Sequence, residues 1–405
     1  MAHPIWTKRI DPHKFYTFFV VLSLVMYFFG HSTEHGTLPF RDKLFYIPCA
    51  ISLVLAVFNK DYWKFDRSDW YFIAFYLITF FYSAIFIQLE PEDMATCALG
   101  YLVFRYLSRI RLKSTMELLA YFAPLIILIH YLFSSPLTLG VGYRYEGFQG
   151  DPNCFSFAMN IVIYACGFAI NYSKNRFLKI LSALSIIGIV PLVMAAASRA
   201  GVAIMVILLA YIFWDTIKKN KLFSVVIAGL LFVGVVAILP RMGNQVETIT
   251  NRYDDTSEKG TDYRLEEFEI VPSLLLAHPE YLPFGIGYSQ SLNAHGKFAE
   301  YFHEARAHNT YMSVLLEEGL VGFILFMAFL VSIGKTVFKN RKFKDGYYRL
   351  ILFFVILFFI FTIYSLPFLP FWFALNVVRN RYDIVRYKVV QVNELQRPAN
   401  RLQVR

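Results

Sequence analysis

This chain returns again and again to apolar stretches long enough to cross a bilayer, and that recurrence sets its class of fold. Runs of about 16 to 20 apolar residues, at ~1.5 Å rise per residue, suffice for helices through a ~30 Å hydrocarbon layer. Twelve are readable, at about 15–30, 44–58, 70–89, 94–108, 117–135, 154–172, 177–197, 200–217, 222–239, 309–334, 350–365 and 366–378. With 57% hydrophobic residues, 42 Phe and a mean hydropathy of +0.48, a soluble fold is excluded, because so much exposed apolar surface would aggregate. The expected fold is all-α: a polytopic integral membrane protein of about 12 transmembrane helices with one large extracytoplasmic loop. Nine spans fill residues 1–239, the polar loop 240–308, three more spans 309–378 and a tail 379–405.

Basic residues test this count independently, because Lys and Arg collect on the cytoplasmic side of membrane spans. Of the 39 Lys and Arg, 28 fall in alternate loops, including Lys60, Lys64 and Arg67 and the group from Lys335 to Arg349. Ten fall in the other loops, and Arg105 lies within a span. Both termini are therefore expected in the cytoplasm. Anchoring explains the net charge of +10, which gives no argument for nucleic acid. The first span lacks a small-residue cleavage site and is expected to stay in place. Cys49, Cys97, Cys154 and Cys166 fall in or beside spans without CxxC spacing, as small buried side chains would, and no metal site is readable. No internal repeat points to the paired halves of a transporter.

The large loop is not needed for anchoring, so its residues carry the functional signal. Six of the ten basic residues on the outer face are arginines beyond Arg41: Arg144, Arg199, Arg241, Arg252, Arg264 and Arg306. The planar guanidinium fork matches phosphate oxygens. Arg199 sits in the short turn Ala197-Ser198-Arg199-Ala200-Gly201 between two apolar helices, where an unpaired charge is expensive; it either snorkels to headgroups or binds an anion. Upstream, Asp151 or Asn153 can cap the sixth span and Pro152 suits its first turn. Arg144 beside Glu146 reads either as a local ion pair or as a substrate contact.

Within the loop, a helix is expected from Thr261 or Asp262, with Leu265, Phe268, Leu275 and Leu276 on its apolar side, interrupted by Pro272 and ended by His278-Pro279. Arg264 falls in its first turn. Gly285-Ile286-Gly287 reads as a tight turn. His295 and His303 read as solvated loop residues, whereas His308 is fixed at the membrane interface by Asn309 and Tyr311 at the start of the tenth span.

Ser198-Arg199-Ala200-Gly201, the Arg264 helix, the stretch from His278-Pro279 to Gly285-Ile286-Gly287, and Ala307-His308-Asn309-Thr310-Tyr311 running to Glu318-Gly319-Leu320-Val321-Gly322 occur in that order. On these residues the chain resembles the bacterial O-antigen polymerase and O-antigen ligase superfamily, over roughly residues 140 to 330. The resemblance implies a GT-C type glycosyltransferase, independent of metal or other cofactor, at the periplasmic face of the inner membrane. Its implied partners are undecaprenyl-diphosphate-linked oligosaccharide as donor and acceptor, membrane lipids and a chain-length regulator. It assigns Arg199 and Arg264 to the diphosphate and His308 to the acceptor hydroxyl, with Arg144, Arg306, Asn309 and Tyr311 as further substrate contacts.

Elementary chemistry agrees with that assignment. Transfer from a lipid diphosphate needs positive charge on the departing group and a base for the acceptor proton. Arginines supply the first; a histidine, with a reference pKa of about 6.5, supplies the second. Within the family, Asp151-Pro152-Asn153 and Ser198 resemble polymerases more than ligases. A flippase for the same lipid-linked sugar is the reading from another class. Against it stands the scarcity of ionisable residues in the spans, with Glu317 and Glu318 expected near helix ends.

Overall fold

In the computed structural model the described residues are 12–30, 44–86, 91–133, 143–148, 150–219, 263–288 and 309–381, with isolated positions 225, 229, 243–244, 246–251 and 290. Among them the regular structure is entirely helical. Helix α1 spans Pro12–Gly30, α2 Tyr46–Val57, α3 Arg67–Phe86, α4 Pro91–Arg105, α5 Leu112–Phe133, α6 Pro152–Tyr172, α7 Arg176–Ala195 and α8 Arg199–Lys219. Then follow α9 at Tyr263–Ala277, α10 at Thr310–Asn340, α11 at Gly346–Thr362 and α12 at Leu369–Val378. Eleven of the expected spans coincide with these helices, and the ninth, 222–239, lies outside the described residues. The chain is thus an all-α polytopic membrane protein.

Not every apolar run is a crossing. Helices α1, α3, α5, α6, α7, α8 and α10 are long and apolar enough to span a bilayer, whereas α2, α11 and α12 are shorter. The ten residues of α12 reach only about 15 Å at helical rise, and all of them are buried. Hydropathy alone joins α11 to α12, but Pro367 and Pro370 lack the N–H that a continuous helix needs, so the run breaks there. The expected last span is therefore an interior plug.

Around that plug the bundle is organised by α6, which is buried on every side from Phe155 to Ile170 and lies between α5, α7 and α8. Phe157 stacks on Phe359 of α11 at 3.7 Å and 14°, and Phe368 at the start of α12 lies 6.1 Å from the same ring. These contacts bring the first turn of α6, the last turn of α11 and the entry to α12 to one end of the molecule. Cys49, Cys97 and Cys166 are buried, and none of the four cysteines is in a disulfide.

Helix α10 is two half-helices in one. Gly319 adopts φ 62° and ψ −167°, and the segment 282–287 is hydrogen-bonded to the residues on either side of the break. Ile286 and Gly287 donate their N–H groups to the carbonyls of Leu316 and Glu317 at 3.0 and 2.8 Å. Leu320 and Val321 donate to Leu282 and Pro283 at 2.8 and 3.1 Å, so the backbone groups freed by the break are satisfied. A Cβ on Gly285 would lie 2.4 Å from the Glu317 carbonyl, and one on Gly319 would lie 2.5 Å from Gly285 N. Gly285-Ile286-Gly287 is thus more than the tight turn its sequence implied; it is one half of a backbone clasp. The clasp also corrects the expected place of Glu317 and Glu318: they end the first half of α10, but inside the bundle and 1% and 3% exposed.

The opposite end of the molecule is stitched by charge. Asp69 Oδ1 accepts from Arg105 Nε at 3.0 Å and Arg379 Nη2 at 2.6 Å, and the Tyr101 hydroxyl donates to the same oxygen. Asp66 pairs with Arg379 at 3.0 Å and Arg381 at 2.7 Å. Arg105, an apparent anomaly within a span, is thereby neutralised where α4 ends, and the network ties α3 and α4 to the chain leaving α12.

Candidate active site

At the end marked by Phe157, three helices begin. Asp151 caps α6, accepting from the N–H groups of Asn153 and Cys154 at 2.7 and 2.8 Å, with Pro152 in the first turn. Since Asp151 does the capping, the Asn153 side chain is available elsewhere. Its Oδ1 accepts from the Ser198 hydroxyl at 2.8 Å and from Arg144 Nη2 at 3.4 Å.

Helix α7 stops at Ala197, which takes the left-handed φ of 46°, uncommon for a residue with a Cβ. That turn delivers Ser198 to the N-cap of α8, where its hydroxyl accepts from Gly201 N at 3.1 Å. Gly201 is needed for proximity: a Cβ there would lie 2.2 Å from Ser156 Oγ on α6. Asn160 then donates to the Gly201 carbonyl at 2.9 Å, locking α6 to α8. Arg199 is consequently the first residue of a 21-residue helix, half-buried, with its charge added to the partial positive charge of the helix N-terminus.

Arg144 comes from the loop that precedes α6. Tyr145 N donates to the Ala195 carbonyl at 2.9 Å and Arg144 Nε to the Ala196 carbonyl at 3.3 Å, so this loop runs alongside the Ala197 turn. Arg144 and Arg199 are held at one place by two arms of the chain. Beneath them His130, fully buried on α5, hydrogen-bonds the Tyr145 hydroxyl at 2.9 Å and packs its ring 5.0 Å from those of Phe148 and Phe155. Sequence reasoning missed His130, because nothing in a lone histidine on an apolar run announces a partner fifteen residues away.

The second group surrounds the start of α10. Asn309 caps it, accepting from Tyr311 N at 2.9 Å. Thr310 donates to the Ile363 carbonyl and lies 3.1 Å from Ser365 Oγ, which fixes the start of α10 beside the α11–α12 connection. Asn309 is fully buried, yet its Nδ2 has no hydrogen-bond partner among the described residues. The Tyr311 hydroxyl donates to the Leu357 carbonyl at 3.4 Å. His308 and Arg306 lie outside the described residues, as do Arg252, His295 and His303.

Arg264 lies in the first turn of α9. That helix continues through Pro272 without interruption, contrary to the sequence expectation. Its buried face is Val271, Leu274 and Leu275 against Ile286, Met312 and Leu316 of the clasp and α10, while Leu276 is 72% exposed. Packing against α10 outweighs the missing hydrogen bond at Pro272. Phe268, one turn on from Arg264, stacks on Phe361 at 5.6 Å, so the start of α9 reaches the same α11 terminus that Phe157 touches through Phe359. Arg144 and Arg199 form one group, and Asn309, Tyr311 and the Arg264 turn form another. The aromatic rings of α6 and α11 join them at a single end of the bundle.

Among the described residues no three His, Cys, Asp or Glu come together as a metal ion would require. What is gathered is guanidinium groups and helix N-termini, a donor set suited to an anion.

The class so defined is a polytopic helical membrane protein that brings Arg144, Arg199 and the N-termini of α6, α8 and α10 to one end. Residues 183–327, from α7 through the clasp into α10, match a family model described as O-antigen ligase, in agreement with the resemblance to the O-antigen polymerase and ligase superfamily read from the sequence. Arg199, Arg264 and His308 fall within the match; Arg144 does not. No curated protein matches the chain.

Proposed function

We propose that this enzyme is an O-antigen polymerase, moving a growing glycan from undecaprenyl diphosphate onto a lipid-linked repeat unit at the periplasmic face of the inner membrane. The observation that carries the proposal is Arg199 at the start of α8, capped by Ser198 and joined through Asn153 to Arg144. Two arginines and a helix N-terminus converge where a diphosphate would enter from the lipid. In a partly desolvated site such fixed charges stabilise the leaving diphosphate as it departs, the part a divalent cation plays in other glycosyltransferases. Arg264 is assigned to the same diphosphate and Arg306 to the substrate's approach. His308 takes the proton of the acceptor hydroxyl, whose oxygen displaces the diphosphate at the anomeric carbon and inverts it.

Asp151-Pro152-Asn153 and Ser198, the residues that resemble polymerases, are also the residues of this hydrogen-bonded group. The ligase reading is favoured by the description of the matching family model, and it places the same diphosphate in the same group with lipid A core as acceptor. The surface polysaccharide of a deletion strain separates the readings. A single repeat unit on the core is the expected result. Polymer left on its carrier with bare lipid A core would establish the ligase, and no exported intermediate would establish a flippase.

A further inference from the structure

A cluster of basic side chains lines a groove at the far end of the molecule from Arg199. The groove of about 550 Å³ opens between the start of α3 and the last turns of α10, lined by Asp66, Arg67, Trp70, Lys335, Thr336 and Lys339 among others, with Arg381 at its edge. Four cations face one carboxylate there. That carboxylate is engaged already, since Asp66 holds Arg379 and Arg381 at 3.0 and 2.7 Å. The surplus belongs to Arg67, Lys335 and Lys339, all of them exposed.

We propose that this groove binds the headgroup of an anionic phospholipid, with its acyl chains lying along α3 and α10. The walls have the pattern such a molecule requires. Lys335 and Lys339 are one turn apart on α10, and the hydroxyls of Ser332 and Thr336 share their face. Towards the middle of the bundle that face becomes apolar, at Val331 and Ile324, which are 51% and 56% exposed. On α3 the exposed Trp70 is followed at helical spacing by Leu77 and Phe81. Basic groups thus stand at the helix ends and an uninterrupted apolar surface leads away from them, with Trp70 at the boundary where indoles settle. A soluble anion would use the first half of this surface and leave the second without purpose. The tail beyond Arg381 is a poor occupant, because residues 382–405 carry Arg386, Lys388, Arg397, Arg401 and Arg405 against Asp383 and Glu394.

The test uses the full-length protein in detergent, titrated with phosphatidylglycerol, phosphatidylcholine or inorganic pyrophosphate and read by native mass spectrometry. Phosphatidylglycerol should bind in preference to phosphatidylcholine. At ~1 kcal/mol for each basic residue near an anionic lipid, a factor of about five, K335Q/K339Q should weaken it about twenty-five-fold. Lys113→Gln, in the first turn of α5, should leave binding unchanged. If the double variant elutes as aggregate, Lys339→Gln alone carries the comparison with a loss of about fivefold. Equal binding by variant and wild type would overturn the site, and pyrophosphate displacing the lipid at equal concentration would overturn the lipid as its occupant. A photo-crosslinking residue at Thr336 in native membranes should capture phospholipid; capture of residues 382–405 would assign the groove to the tail.

Discussion

Arg199 has its place because three neighbours leave it no other. Ala197 turns the chain, Ser198 caps α8 and Gly201 lets α8 approach α6, so the guanidinium starts at a fixed point beside a helix N-terminus. Arg199→Ala should leave the protein in the membrane at normal level and abolish glycan elongation, read from the polysaccharide ladder. Arg264→Lys should fall between wild type and null, because a point charge replaces a bidentate fork. His308→Ala should abolish elongation and His295→Ala should not; elongation by the His308 variant would remove its assignment as base. Ser198→Ala tests the frame instead of the chemistry. Losing a cap costs about 1 kcal/mol, so the melting temperature should fall slightly while elongation falls further, through a displaced Arg199. An equal loss from Ser198→Ala and a cap deletion remote from the site, such as Asn175→Ala at α7, would contradict that coupling.

At the scale of elements, two devices hold helices that hydropathy alone would leave adrift. The clasp between segment 282–287 and the break in α10 needs glycine on both strands of the contact, so Gly319→Ala is strained in φ and also collides with Gly285. It should lower the amount of folded protein, whereas Leu276→Ala on the exposed face of α9 should not, as size-exclusion profiles would report. The ion network is the second device. Asp69→Asn leaves Arg105 buried without its counter-charge and Arg379 with Asp66 alone, and breaking a buried pair costs about 3 to 5 kcal/mol. The same network predicts a response to acid through Asp66, which lies before α3. Burial works to raise its carboxyl, but the Arg379 charge and the Ser68 hydrogen bond outweigh it and hold it below the ordinary carboxylate value. Its contribution is therefore complete above the unfolded value of about 3.9 and is lost as pH falls through the lower folded value. Thermal melts of wild type should decline more steeply below about pH 4 than those of Asp66→Asn.

For the whole molecule, the sequence carried the helices and one end of the site, and it did so for identifiable reasons. Apolar runs placed eleven described helices because a bilayer rewards length and hydropathy whatever the packing. Asp151 and Pro152 were legible because capping is local, whereas the turn read at Ala197–Gly201 is already helical from Arg199. What was not legible depends on residues far apart in the chain: the Gly285–Gly319 clasp, the His130–Tyr145 contact and the Asp69–Arg379 pair, 310 positions apart. Even the short interior α12 betrays itself only through prolines. The charge pattern, in contrast, speaks of the entire chain at once, and the two ends differ accordingly: one carries Arg199 and the helix caps, the other Lys335 to Arg349. If that bias sets orientation, a thiol at Tyr143 should meet the periplasm and one at Lys342 the cytoplasm. Both side chains are exposed, and Cys49, Cys97 and Cys166 are buried, so only Cys154 needs replacing to give a quiet background. A membrane-impermeant maleimide added to cells with a permeabilised outer membrane should label Tyr143→Cys at once and Lys342→Cys only after lysis. The reverse order would put Arg144 and Arg199 on the cytoplasmic side, where a donor already carried across the membrane could not reach them.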